Sequence, residues 1–302
     1  LGLLSVQNLL LYRRPFIVKK NLQFGDFSPD YTNPDTARIV ILPVPYDRST
    51  WIKGADRGPE AILMASRNLE FYDILTDTEV FKHGIATEVP VHGHNEPESM
   101  IQEVHKKIAD FFKKGQFPVI LGGDHSVSIG AFRAAAESFE QLTILQLDAH
   151  ADTRKEYEGS IYNHACVMSC AKDLCPIAQV GIRSMDSSEK PDLDICRVVF
   201  AHEINEDPKR SWIQKVVSWL TENVYLTIDL DVLDPSLMAA TGTPEPGGLG
   251  WYEVCALIRE VCRHRKVVGM DVVELCPRED LWACDFLAAK LIYQTLSFRF
   301  CQ

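Results

Sequence analysis

The sequence predicts a three-layer α/β/α fold around a central, mostly parallel sheet, on three observations. Short runs rich in β-branched and apolar residues recur along the chain, continuous rather than alternating with polar residues, as in strands covered on both faces. Most are separated by segments with helical spacing of apolar residues. No Ser/Gly-rich linker, low-complexity tract or internal repeat divides the 302 residues, a length sufficient for one large domain. One domain over 1–302 is therefore expected, with 1–35 as an N-terminal arm.

Taken in order, the opening "LGLLSVQNLLLYRRPFIVKK" has an apolar stretch followed by basic residues, the reverse of a signal peptide, and is too short to span a bilayer. Strands are predicted in "ARIVILPVPY", "FPVILGG", "LTILQLDAH", "IAQVGIR", "CRVVFAH", "VYLTIDLD" and "KVVGMDVVEL". Helices are predicted in "GPEAILMASRNLEFY", "EPESMIQEVHKKIADFFKKG", "SWIQKVVSWL" and "GWYEVCALIREVCRH". Open α/β sheets bind ligands beyond the carboxyl ends of their strands. The conspicuous ionisable residues fall there: His125 after "FPVILGGD", Asp148 at the end of "LTILQLD", Asp229 and Asp231 at the end of "VYLTIDLD", and Glu274 near the end of "VVGMDVVEL".

A balance of 31 Lys and Arg against 42 Asp and Glu, net −11 at pH 7, argues against generic nucleic-acid binding and is compatible with a cationic substrate. Nine cysteines, an odd number without CxxC pairs, do not form a disulfide scaffold or zinc ribbon. They read as reduced packing thiols of a cytoplasmic protein with no membrane partner.

Carboxylates at i and i+2 near a strand end can project to one side, which makes clusters of Asp148/His150/Asp152 and Asp229/Asp231. Unpaired, they would repel. Four carboxylates carry about −4 and two divalent cations about +4, so a dinuclear centre with neutral imidazoles nearly cancels the charge. Oxygen donors with a minority of imidazole suit Mn²⁺ or a similar ion better than thiolate-seeking metals. Taken singly, each of these residues is more commonly a helix cap or turn residue, and Asp124 in "GGDHS" fits an N-cap. His83, His92 and His94, in "KHGIATEVPVHGHN", lie in a Gly- and Pro-marked loop and need no metal.

Together, "GGDHS" (122–126), "DAHAD" (148–152), "NHACVM" (163–168), "DLDVLDP" (229–235), "TGTPEPGGL" (241–249) and "VVELCP" (272–277) resemble the ureohydrolase family of arginase and agmatinase, as does the earlier "GADRGPEAI" (54–62). The resemblance implies an arginase-like fold, two Mn²⁺ per chain, and a homotrimer or homohexamer. By position it makes His125, Asp148, His150, Asp152, Asp229 and Asp231 the metal ligands, His164 the proton-transfer residue and Glu274 the acid that holds the guanidinium.

On that reading the ions share a water that attacks the guanidinium carbon, Asp152 steadies the tetrahedral intermediate, and His164 protonates the departing amine. Arginases follow the metal-binding Asp with a DxN segment that receives the α-carboxylate; here Asp152 is followed by "TRKEYE". The stretch is more similar to agmatinases, which makes agmatine, hydrolysed to putrescine and urea, the first expectation. Asp186 and Glu189 fall where the family places acids near the substrate amino group. Arg154 and Lys155 keep 4-guanidinobutyrate open, arginine is a weaker alternative, and a noncatalytic polyamine- or metal-binding relative is the reading from another class.

Overall fold

The computed structural model describes residues 22–48 and 52–301. Eight strands, β1 (Ile39–Val44), β2 (Ile85–Thr87), β3 (Phe117–Gly122), β4 (Leu142–Leu147), β5 (Ile177–Ile182), β6 (Val198–Phe200), β7 (Asn223–Asp229) and β8 (Lys266–Val273), form one sheet in the order β2-β1-β3-β8-β7-β4-β5-β6. Every neighbouring pair is parallel. The helices are α1 (Pro29–Thr32), α2 (Gly58–Ser66), α3 (Pro97–Lys113), α4 (Ser128–Ser138), α5 (Val167–Lys172), α6 (Ala201–Glu206), α7 (Ser211–Trp219), α8 (Trp251–His264) and α9 (Trp282–Phe300).

The strands are apolar on both faces because both faces are covered. Ile39, Ile41, Val119, Leu121, Leu226 and Ile228 pack against α2, α7, α8 and α9. Their alternates Val40, Leu42, Ile120, Ile144 and Tyr225 pack against α3, α4 and α5. In β8 the alternation slips at a register shift opposite Val224/Tyr225, so that Val267 and Met270 share a face. The last turns of α9 are buried continuously from Leu291 to Phe298, and this helix has no polar stripe.

Of the predicted N-terminal arm, residues 1–21 lie outside the described residues, and Phe24 is fully buried in the core. The topology places the central strands β3, β8, β7 and β4 side by side, so that their carboxyl ends face one place.

Candidate metal centre and active-site cleft

Those four strand ends bring together the ionisable residues that the sequence scatters over 150 positions. Nδ1 of His125 lies 3.3 Å from Asp148, 3.2 Å from Asp152 and 3.7 Å from Asp229. Nδ1 of His150 lies 2.9 Å from Asp231 and 3.7 Å from Asp148. Among the described residues, two groups have donor atoms close enough to hold a metal ion: His125 with Asp148 and Asp229, and Asp148 with His150 and Asp231. Asp148 belongs to both, so the two groups abut. Asp152 flanks the first.

Local backbone chemistry fixes these side chains. Gly122 and Gly123 end β3 where any Cβ would collide, at Gly123 with the Tyr46 carbonyl oxygen and at Gly122 with Val127 and Val273. Asp124 caps the following turn, accepting from the Ser126 amide at 3.1 Å, so it is structural. The Glu274 amide donates to the Gly123 carbonyl, and Glu274 Oε1 accepts from the His125 amide at 2.8 Å. Asp152 and Glu274 have φ of +54° and +65°, left-handed conformations that are strained for side chains of this kind and concentrate at functional sites.

Behind these side chains the sheet face turns polar. His125 Nε2 meets Thr227 Oγ1 at 2.8 Å, and Thr227 Oγ1 donates to buried Asp271 at 2.6 Å. With the Thr227 proton given to Asp271, Nε2 of His125 is the donor to Thr227, which leaves Nδ1 as the basic nitrogen facing the carboxylates. Gln146 donates to Asp148 at 2.7 Å and is itself held by Gln179 at 2.6 Å. Sequence reasoning did not single out Thr227, Asp271 or Gln146. Their signal was a polar residue at an inward position of an otherwise apolar strand.

The electrostatics call for cations. Burial, then Asp231, Asp148 and Glu274, push the Asp229 carboxyl well above the usual range. Burial and the neighbouring Asp148 raise Asp152 to about 7. Burial, then Asp124, raises Glu274. Burial works against charge on His150, but Asp148 and Asp231 outweigh it and raise its pKa to about 12. Burial likewise opposes charge on Asp148, yet hydrogen bonds with His125 and His150 hold its pKa below the ordinary value. A buried set of acids that draws protons onto itself and its imidazoles fits a pair of divalent ions, whose charge the protons otherwise replace.

A cleft of 320 Å³ opens over this floor, lined by His150, Asp152, Asp229, Asp231 and Glu274 and, further out, by Arg154, Tyr157, Glu158, His164, Met185, Asp186 and Glu189. His164 stands edge-on to Tyr157, with ring centroids 6.0 Å apart, and burial lowers its pKa, so its ring is neutral near pH 7. Asp186 caps the turn Ser187–Glu189 with Oδ1. Glu189 is 4% exposed, and its oxygens are committed within the protein: Oε2 accepts from the Thr153 amide and hydroxyl, and Oε1 accepts from the Asp186 amide. It ties two loops together rather than offering a free carboxylate to substrate.

A larger cleft of 700 Å³ lies beyond Ser184 and Met185. Its charged groups are occupied structurally: Arg183 donates to the carbonyls of Asp231 and Glu245, Asp234 accepts from Gly247 and Gly248, and Glu253 accepts from Gly250. His83, His92 and His94 join no metal-holding group among the described residues, and His94 is bonded to Ser99 and Glu103. The described cysteines are free thiols, and burial raises Cys166, closest in sequence to His164, to about 12, which argues against a nucleophile. No described helix is long and apolar enough to cross a membrane.

This arrangement, two abutting Asp/His groups at parallel strand ends beneath a cleft with an acid and a neutral histidine on its walls, has known counterparts. Residues 37–297 match the arginase family. An N(1)-aminopropylagmatine ureohydrolase of Synechocystis is 38% identical over 277 residues, covering 87% of this chain and 89% of the relative. An agmatinase of Pyrococcus horikoshii is 31% identical, covering 86% and 91%. The crystal structure of agmatine ureohydrolase of Thermoplasma volcanium superposes with a TM-score of 0.84 at 31% identity, covering 93% and 95%. The chain belongs to the arginase family. It is a ureohydrolase, a C–N hydrolase acting on a guanidino compound.

Proposed function

We propose that the chain hydrolyses agmatine, or its N-aminopropyl derivative, to urea and the corresponding amine, using two manganese ions. The observation that carries this reading is the cleft with the Asp/His clusters as its floor and Glu274 and His164 on its walls. His125, Asp148, Asp152, Asp229, His150 and Asp231 are the residues that would hold the ions, which supply a water acidic enough to attack at neutral pH. Glu274, with Oε1 anchored on the His125 amide, presents its carboxylate to the guanidinium and turns the carbon toward the floor. Asp152 accepts a hydrogen bond as the carbon becomes tetrahedral. His164, neutral at rest, takes up a proton and delivers it to the departing amine nitrogen.

The wall favours a second cation over an anion. Among the described residues that line the cleft, Arg154 is the Lys or Arg that would suit a carboxylate, and its charge is offset by Glu189 at 3.6 Å, with its guanidinium stacked 4.6 Å over Tyr157. Lys155 is 79% exposed, sits 3.5 Å from Asp192 and does not line the cleft. This weakens the 4-guanidinobutyrate reading, and arginine would bring a carboxylate that meets no unpaired Lys or Arg among the described residues lining the cleft. Asp186, held below the usual carboxylate range by hydrogen bonds from Ser188, lines the same cleft and adds to the negative charge that favours a distal ammonium. The aminopropyl derivative enters because relatives at 38% identity carry that name. A cytoplasmic homotrimer or homohexamer completes the proposal, with exposed Ile74, Tyr252 and Trp282 available for contact between copies.

Urea release by manganese-loaded protein from agmatine, N-aminopropylagmatine, 4-guanidinobutyrate and arginine tests the assignment. The two polycationic guanidines should lead arginine by at least about tenfold in kcat/KM, since a desolvated, unpaired carboxylate costs about 1–3 kcal/mol. A lead for 4-guanidinobutyrate would overturn the substrate, and no urea from any of them would remove the catalytic reading in favour of a binding protein.

A further inference from the structure

Among the acids of the cleft wall, Glu158 is the one whose position costs the backbone something and whose carboxylate makes no hydrogen bond or ion pair among the described residues, although its charge reaches nearby His164. It sits at the first central position of a two-residue turn in which Tyr157 and Ser160 exchange both backbone hydrogen bonds at 3.0 Å. Its φ is +50° and that of Gly159 is +79°, the signs of a type I′ turn. Such turns take Asn, Asp or Gly at that position, and Glu there is strained. Glu158 is exposed and makes no hydrogen bond or ion pair among the described residues, yet it lines the same cleft as Glu274.

The charge of the outer wall points the same way. Arg154 contributes one positive charge against Glu158, Asp186 and Glu189, and Glu189 is already engaged with Arg154 and Thr153. The uncommitted remainder is therefore anionic and rests on Glu158 and Asp186. Asp186 spends Oδ1 on capping its turn, which leaves Glu158 as the wall carboxylate with no hydrogen bond to give up.

We propose that Glu158 is a specificity-determining residue that receives the cationic tail of the substrate at the cleft mouth, selecting guanidines with one or more ammonium groups beyond the guanidinium. This rests on the ureohydrolase reading and sharpens it: Glu274 recognises the reacting end, Glu158 the distal end, and Glu189 positions the loop without touching substrate.

The test compares agmatine with n-butylguanidine, which has the same carbon chain without the distal ammonium, on manganese-loaded full-length protein. Glu158→Gln should lower kcat/KM for agmatine about five- to tenfold, mostly through KM, and shrink its advantage over n-butylguanidine by the same factor. Glu158→Gly should show the same loss with an unchanged or higher Tm, because Gly relieves the turn. Glu156→Gln, on the same loop but off the cleft, is the control and should keep the ratio. An unchanged ratio in Glu158→Gln overturns the proposal, as does a Glu158→Gly protein that melts earlier and loses both substrates alike, the mark of a structural role. Dissociation constants from calorimetry give the same ratio without turnover. Wild-type protein that binds agmatine in preference but releases no urea would therefore defeat the ureohydrolase reading while leaving this assignment standing.

Discussion

The floor of the cleft stands on the ends of four neighbouring strands, whereas its outer wall, from Arg154 to Ser160 and from Ser184 to Glu189, is almost entirely loop and turn. Floor residues such as His125, Asp148, Asp229 and Asp231 are nearly inaccessible to solvent, while Lys155, Glu156 and Glu158 are exposed. Buried carboxylates on a parallel sheet cannot move away from one another, so their mutual repulsion becomes affinity for cations. A loop can exchange its residues without disturbing the sheet, so substrate choice is free to change while the chemistry stays.

The largest effect should come from breaking the floor. Asp148→Ala removes the carboxylate shared by both metal-holding groups, and metal content and urea release should collapse together. Full metal occupancy in that variant would show that the shared ligand has been misplaced. His164→Ala lies on the wall side of the comparison but in the proposed reaction path, and should retain metal while losing about 10²–10⁴-fold in kcat. A kcat unaltered across the pH range would reject its proton-transfer role.

These residues differ in how far they could be read from sequence. Asp148, Asp229 and Asp231 were legible because each ends an apolar run, where the strand stops and a ligand site begins. β2, a three-residue edge strand, was read as loop, since "IAT" is too short to show a pattern. α9 was not picked out because burial on nearly all sides erases the polar stripe that marks a helix. "GPEAILMASRNLEFY" was read as helical throughout, but the helix stops at Ser66. On the wall, Glu189 was visible as an acid near the substrate end, but its pairing with Thr153 and Arg154 depends on two loops meeting. Likewise, nothing in "TRKEYEG" distinguishes Glu158 from Glu156 until the turn orients them differently.

Acidity offers a third way to separate floor from wall. Metal-free protein holds protons on Asp152 up to about pH 7 and on His150 to higher pH, and metal binding must displace them. Manganese affinity should therefore rise steeply from about pH 6 to pH 8, with proton release. An unfolded Asp loses its proton near pH 4, about three units lower, so Asp152 makes metal-free protein less stable as pH rises across that window. Bound metal should remove that loss, and a flat affinity profile would contradict the protonated floor. The smallest effect belongs to the wall's scaffold: Glu189→Gln keeps the floor intact but loosens the Thr153 loop, and should lower stability by about 1–3 kcal/mol while sparing metal content. Loss of metal there would mean that wall and floor are not separable.

The number of ions that the floor binds is the most direct measure of a chemistry built on it. Manganese titrated into metal-free wild-type protein at neutral pH, then counted by elemental analysis after removal of free metal, should reach about two ions per chain as urea release from agmatine appears. Saturation at a single ion with full activity, or full activity with no metal bound, would contradict a chemistry built on paired Asp/His groups at the strand ends.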